Sequence, residues 1–298
     1  MHITDILEEQ RTTFSFEFFP PRKEEAWREL FDTIKDLERL SPSFVSVTYG
    51  AGGTTREKTH DLVVRIKDET ELDPVPHLTC VCHETAEVDE ILRAYAEHGI
   101  SNIMALGGDP PRGKSAVECG AQDFLHAVDL VHFIRQFNGL GIHPDPRGFG
   151  IGVAGFPEGH PATPNRILEM DYLKQKVDMG ADYICTQLFF DNRDFFDFRE
   201  RCEISGIRVP IVAGLMPIIS RRSFQRTPEL ALGSRYPSAF LRRIEHLETD
   251  SDIAKAGIEW TVRQCYELLE NDVRGIHFYT LNRSPLTIEI FKRLGVEG

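Results

Sequence analysis

Eight short runs rich in β-branched and aromatic residues recur along this chain, and a longer segment with helical spacing follows each one. The strand-like runs are Thr13–Phe18, Phe44–Thr48, Val75–Thr79, Asn102–Leu106, Gly150–Ala154, Tyr183–Gln187, Pro210–Gly214 and Gly275–Thr280. The helical segments are Glu24–Leu40, Thr55–Glu69, Thr85–His98, Gln122–Gln136, Asn165–Met179, Arg193–Ser205, an irregular stretch to Leu269, and Pro285–Leu294. Strands joined through helices pair in parallel, because the crossover returns the chain to the same end of the sheet. Eight alternations without a compositional break predict an α/β fold, a single (β/α)8 TIM barrel, rather than a doubly wound sheet. A short amphipathic helix, Ile3–Gln10, is expected before the barrel. Thr54 with Glu57 reads as a capping box for the second barrel helix. No linker or low-complexity tract divides residues 1–298, so one domain is expected.

In such barrels the chemistry sits at the carboxyl ends of the strands. Here those ends read Glu17-Phe-Phe-Pro-Pro, Thr48-Tyr-Gly-Ala, His77-Leu-Thr, Leu106-Gly-Gly-Asp-Pro-Pro, Ala154-Gly-Phe-Pro-Glu-Gly-His, Thr186-Gln-Leu-Phe-Phe-Asp, Gly214-Leu-Met-Pro and Tyr279-Thr-Leu-Asn-Arg. Nearly all carry polar groups beside glycine, proline or aromatic residues, a pattern that suits a site. In the first strand, Phe14, Phe16 and Phe18 share one face, and Thr13, Ser15, Glu17 and Phe19 share the other. A carboxylate there is costly to desolvate unless it is paired or has a task, and the strand alone leaves both readings open.

The formal charge of −13 argues against a general nucleic-acid binder, although a few local cations can still hold a small anion. No apolar run approaches ~18 residues and the N-terminus lacks a signal-peptide core, so no membrane span and a cytoplasmic location are expected. Six cysteines without a secretory signal read as free thiols. Cys80, Cys82 and His83 cluster but lack a second ligand pair, and no metal is expected.

Gly150-Ile-Gly152-Val-Ala-Gly155 matches the dinucleotide string Gly-x-Gly-x-x-Gly, but it lies within a strand and precedes Phe156-Pro157 instead of opening a helix. Such glycines more plausibly admit a flat ligand or a neighbouring backbone. Gly107-Gly108-Asp109-Pro110-Pro111 opens a long polar loop, which places Asp109 either at the barrel mouth or in an ordinary turn. His77, His126 and His160 each read singly as core or surface histidines, though His77 and His160 point to one rim. Lys176 reads by default as a solvated helix lysine. Arg283, at the end of the last strand's motif, suits a carboxylate or phosphate.

Seven strings occur in order along the chain: Ser15-Phe-Glu-Phe-Phe-Pro-Pro-Arg22, Phe44-Val-Ser-Val-Thr-Tyr-Gly-Ala51, Pro76-His-Leu-Thr-Cys80, Gly155-Phe-Pro-Glu-Gly-His-Pro161, Lys176-Val-Asp-Met-Gly-Ala-Asp182, Thr186-Gln-Leu-Phe-Phe-Asp191 and His277-Phe-Tyr-Thr-Leu-Asn-Arg283. Together they resemble the methylenetetrahydrofolate reductase family. The resemblance covers the catalytic barrel, and it implies a single FAD-binding domain without the regulatory domain of the eukaryotic enzymes. It implies reduction of 5,10-methylenetetrahydrofolate to 5-methyltetrahydrofolate with NADH or NADPH, by a ping-pong mechanism on FAD. By position it implies Glu17 as the general acid and Asp109 at the flavin N1/C2-carbonyl edge. The implied cofactor-binding set is Thr48, Tyr49, Ala51, His77, Gly107, Gly108, Asp109, His126, Ala154, His160, Glu169 and Lys176. The implied substrate contacts are Thr48, Gln187, Tyr279 and Arg283, with Thr48 and Gln187 also near the nicotinamide.

The chain departs from the family pattern at several positions. Gly107 stands where arginine is common, which removes a cation near the FAD phosphates or ribityl chain. His126 and Phe156 stand where tyrosine is usual or frequent, Glu169 where aspartate is, and Gln175 where arginine is. Beyond Met216-Pro217 the match fades, and no role transfers there. The implied chemistry needs an acid that keeps its proton near neutral pH, and burial beside Phe19 inside the barrel would raise the pKa of Glu17 accordingly. Two alternatives stand beside this reading: a flavin-free pterin-binding barrel that transfers a methyl or methylene group, and a non-catalytic folate-binding relative. The expected partners are the folate and a second copy of the chain in a homo-oligomer.

Overall fold

A computed structural model describes residues 1–21, 23–50, 55–110, 113, 123–231 and 233–296. Helix α1 (Ile3–Glu9) precedes strand β1 (Thr13–Phe18), and the chain then alternates through α2 (Ala26–Glu38), β2 (Phe44–Val47), α3 (Arg56–Glu69), β3 (Pro74–Thr79), α4 (Thr85–Glu97) and β4 (Asn102–Leu106). It continues through α5 (Ala127–Asn138), β5 (Gly150–Gly155), α6 (Arg166–Asp178), β6 (Tyr183–Thr186), α7 (Asn192–Ile204) and β7 (Ile211–Leu215). Three helices follow, α8 (Arg221–Leu230), α9 (Ser238–Ile244) and α10 (Asp250–Glu270), before β8 (Gly275–Tyr279) and α11 (Ser284–Leu294). The strands close into a parallel barrel in sequence order, with β8 returning to pair with β1. No helix among the described residues is long and apolar enough to cross a membrane.

The first strand shows how alternation sets the layers. Phe16 and Phe18 are fully buried on the outer face, where Phe16 meets Phe291 of α11 at 5.5 Å between ring centroids. Each such ring contributes roughly 1.5–3 kcal/mol by leaving water. On the inner face Ser15 meets the Nδ1 of His277 at 2.8 Å, and Ser46 meets its Nε2 at 3.2 Å. Burial lowers the pKa of His277 to about 3, so this interior imidazole is neutral.

Helix α1 plugs the amino end of the barrel. Ile3, Ile6 and Leu7 pack against Phe44, Val75, Met104, Tyr183 and Val212. The Ile3 amide donates to Asn102 Oδ1 at 2.7 Å, and the Asn102 amide donates to the Met1 carbonyl at 2.8 Å. The glycines of β5 serve this plug and the barrel interior. A Cβ on Gly150 would lie 2.6 Å from both Asn102 and Ile3, and one on Gly152 would lie 2.5 Å from the Tyr183 ring. Protein side chains, not a flat ligand, occupy the space that these glycines leave.

Several sequence-based boundaries are corrected. Helix α5 begins at Ala127 because His126 caps it, with Asp129 accepting from the His126 amide at 2.8 Å. The N-cap of α3 is Thr55, which makes no side-chain cap bond, and Thr54 lies outside the described residues. The irregular stretch before Leu269 resolves into α8, α9 and α10, whose signals were obscured by Pro228 inside α8 and Pro237 at the start of α9. Cys80, Cys185, Cys202 and Cys265 are free and buried, whereas Cys82 is disulfide-bonded, so the expectation of six free thiols does not hold.

Candidate active site

At the carboxyl end of the barrel lies a cavity of about 1230 Å³. That exceeds the ~300–1,000 Å³ of a typical small-molecule site, and it leaves room for a large cofactor together with a substrate. Most of the expected site residues meet on its wall: Glu17, His77, Gly107, Gly108, Asp109, His126, Ala154, His160, Lys176, Gln187, Tyr279 and Arg283. Glu169 lines a smaller adjoining cavity of about 130 Å³, which shares Ala154, His160 and Lys176 with the large one. Thr48 and Tyr49 are not on the main wall. The Tyr49 hydroxyl pairs instead with His83 Nε2 at 3.0 Å, and Ala51 lies outside the described residues.

Glu17 reaches the cavity from the inner face of β1, and its side chain is 17% exposed. Burial pushes its pKa from 4.5 up to about 8, so the carboxyl is protonated at neutral pH. The expected partner in this desolvation, Phe19, is 40% exposed; the barrel interior supplies the burial instead. His77 Nε2 lies 3.7 Å from Glu17 Oε2, and burial lowers the pKa of His77 to about 4. At neutral pH the two groups are therefore an uncharged pair, not an ion pair.

Gly108 sits at φ +79°, where a Cβ would come within 2.6 Å of Thr79, so the backbone at Asp109 approaches the wall as only glycine allows. Asp109 follows it, exposed on the cavity rim. Lys176 is turned inward from α6 and donates to the Ala154 carbonyl at 3.0 Å. Burial lowers its pKa to about 8, with Glu169 acting in the opposite sense. Glu169 Oε1 accepts from the His160 amide at 2.9 Å, while its buried Oε2 has no hydrogen-bond partner among the described residues and lies 3.9 Å from Arg166 Nη1. The Tyr279 hydroxyl donates to the Thr186 carbonyl at 2.8 Å, which turns the ring edge toward β6.

The sequence model of methylenetetrahydrofolate reductase matches residues 2–295 of the chain. The chain belongs to the methylenetetrahydrofolate reductase family. It is 36% identical over 283 residues to the 5,10-methylenetetrahydrofolate reductase of Escherichia coli (strain K12), covering 95% of this chain and 90% of that protein. It is 36% identical over 304 residues to methylenetetrahydrofolate reductase (NADH) 1 of Arabidopsis thaliana, covering 99% of this chain but 50% of that one. The chain thus spans about half the length of the plant relatives and about nine-tenths of the bacterial ones. Among solved structures, a Clostridium thermocellum protein described as binding two copies of 5-methyl-5,6,7,8-tetrahydrofolic acid shares the fold at TM-score 0.67 and 14% identity, covering 100% of this chain and 98% of that one. Oxaloacetate acetylhydrolase is a more distant barrel, at TM-score 0.51 and 11% identity over 99% and 87% of the two chains.

Seen as a member of this family, the chain carries wall residues that sequence reasoning missed. Ser220, Arg222, Ser223, Arg226 and Thr227, at the start and along one face of α8, complete the β7–β8 side of the cavity. The signal available in the sequence was the spacing of Arg222 and Arg226, one helical turn apart.

Proposed function

We propose that this chain reduces 5,10-methylenetetrahydrofolate to 5-methyltetrahydrofolate with electrons from NADH or NADPH, with FAD as resident cofactor. Family membership supports the reaction, and the observation that carries it is Glu17, a carboxyl held protonated at neutral pH on the wall of a cavity this large. The residues present fit FAD. The cavity has the volume, Gly108 packs the strand-end backbone against Thr79 and Val81 so that Asp109 follows on the cavity rim, and Lys176 offers an ammonium whose one bond among the described residues is to a backbone carbonyl. Gly108, Asp109, His126, Ala154, His160 and Lys176, all on the β4–β6 side, are the residues that would hold it. Bound there, FAD supplies the two-electron carrier that connects the nicotinamide with the folate.

The chain's own groups supply the rest. Glu17 gives its proton to N10 of the folate, which breaks the N10–methylene bond of the imidazolidine ring and leaves a 5-iminium cation ready to accept hydride. The resulting carboxylate regains a proton from water before the next turnover. Asp109, an acidic side chain on the rim of the same cavity, stabilises that cation electrostatically. Gln187 offers a side-chain amide to the substrate face, although its Oε1 already accepts from the Leu188 amide at 2.9 Å. Arg283 is exposed at the rim, and its guanidinium would take a carboxylate of the substrate.

The test is a flavin spectrum of the purified protein, followed by anaerobic bleaching with each nicotinamide and reoxidation by methylenetetrahydrofolate. Bleaching and folate-dependent recovery support the proposal. The second reading, a flavin-free pterin barrel, draws on Gly107, whose missing side chain leaves a Cβ position with no non-adjacent atom of the described residues within 4 Å. A protein that shows no flavin absorbance, even after FAD is added, supports that reading instead.

A further inference from the structure

The cavity wall is divided by function around the barrel. The groups suited to FAD come from β4–β6 and their loops, whereas Glu17 projects from β1 on the far side of the opening. A substrate that presents its reacting end to Glu17 therefore extends its distal end over the remaining sector, the loops after β7 and β8. That sector is where barrel enzymes frequently bind anionic groups.

In this chain it is cationic. Arg222 and Arg226 lie one turn apart on the face of α8 that lines the cavity, and Arg283, the N-cap residue of α11, lines the same cavity. Among the described residues none of the three has an ion pair or side-chain hydrogen bond, although most other arginines are paired in this chain of net charge −13. Their neighbour Arg221 shows the contrast, because its guanidinium is spent on the Leu247 carbonyl. The helix that carries them is fixed in place. Ser220 caps it by accepting from the Ser223 amide at 3.0 Å, Asp250 accepts from the Arg221 amide at 2.8 Å, and Phe224 stacks on Tyr236 with ring centroids 4.5 Å apart. Two guanidiniums are thus held at a cavity mouth without an anion among the described residues to satisfy them.

We propose that Arg222 and Arg226 form an anion subsite, additional to Arg283, for charged groups at the end of the substrate farthest from the reacting atoms. The inference rests on the folate-reductase reading. Two sources carry that chemistry: the extra carboxylates of a γ-glutamyl chain on the folate, and the ribose 2′-phosphate that distinguishes NADPH from NADH. Either anion matches the bidentate geometry of a guanidinium.

The experiment compares the parent with an Arg222→Ala, Arg226→Ala double variant and with the matching double lysine variant. Steady-state KM and kcat are measured for mono- and triglutamyl methylenetetrahydrofolate and for NADH and NADPH, at low and high salt. If the tail is the ligand, the alanine variant loses about tenfold or more of the parent's preference for the triglutamate, with kcat and the monoglutamate KM little changed. If the 2′-phosphate is the ligand, the same loss appears instead in the preference for NADPH. In either case the lysine variant recovers part of the preference, and high salt erodes it in the parent. Preferences that agree within about twofold among all three proteins overturn the subsite. A parent that turns over no methylenetetrahydrofolate with either nicotinamide defeats the functional reading itself, and the subsite falls with it.

Discussion

Glu17 and His77, two strands apart around the barrel, bring their side chains to 3.7 Å without forming an ion pair, because burial keeps the first protonated and the second neutral. The imidazole supplies no positive charge to pull the carboxyl's pKa back toward its ordinary value. The acid is therefore available up to about pH 8. Its supply of protons to the folate should hold steady below that pH and fall about tenfold for each further unit. Folate-dependent reoxidation of the reduced enzyme, followed by stopped flow across that range, checks this. A rate that already declines between about pH 5 and 6 points to an ordinary carboxylate.

The same proton affects stability. The pKa of Glu17 in the fold, about 8, lies above its ordinary 4.5, so between those values the folded chain holds more protons than the unfolded one. Stability contributed by this group is full below 4.5 and is lost as pH rises through about 8. The loss has an upper bound of about 5 kcal/mol, reduced by water in the cavity. Glu17→Gln should therefore melt higher than the parent near pH 9, by a few degrees, and lose most of that advantage near about pH 5. A melting difference independent of pH contradicts the assignment.

Adjacent glycines should respond in opposite ways. Gly108 has a positive φ, and a Cβ there would meet Thr79 at 2.6 Å, so Gly108→Ala should weaken FAD binding by about tenfold or more. Gly107 has no non-adjacent atom of the described residues within 4 Å of its Cβ position, so Gly107→Arg should be tolerated and restore the cation that the family resemblance leads one to expect. It should tighten FAD by about tenfold. Fluorescence titration of the apoprotein with FAD reads both, and a Gly107→Arg protein that binds FAD no better than the parent removes the cofactor from that stretch of wall.

Lys176 must be charged to hold an anion, and burial lowers its pKa to about 8. FAD affinity should therefore fall as pH rises above about 8, both in the parent and in Glu17→Gln. In Lys176→Met it should be weaker throughout and flat across the same range. Titrations at several pH values separate this lysine from Glu17, and an unchanged pH dependence in Lys176→Met excludes it as the anion partner.

The fold was legible because period-two alternation at β1 assigns Phe16 and Phe18 outward and Ser15 and Glu17 inward, and burial follows that division. The strand context of Gly150 and Gly152 was legible too. Which atoms fill their space was not, because Asn102, Ile3 and Tyr183 approach from other elements. Tyr49 belongs to a matching string, yet its hydroxyl goes to His83, a pairing set by the loop after β3 and invisible in local sequence. The arginines of α8 were the largest omission. Pro228 broke the helical signal, and only closure of the barrel, β8 onto β1, places Arg222 and Arg226 on the same wall as Glu17.

The most direct measurement separates the two half-reactions of Glu17→Gln by anaerobic stopped flow. NADH or NADPH should bleach the flavin at a rate near the parent's, because that step takes no proton from Glu17. Reoxidation by methylenetetrahydrofolate should fall by about a hundredfold or more. Reoxidation at the parent's rate would show that Glu17 does not deliver the proton.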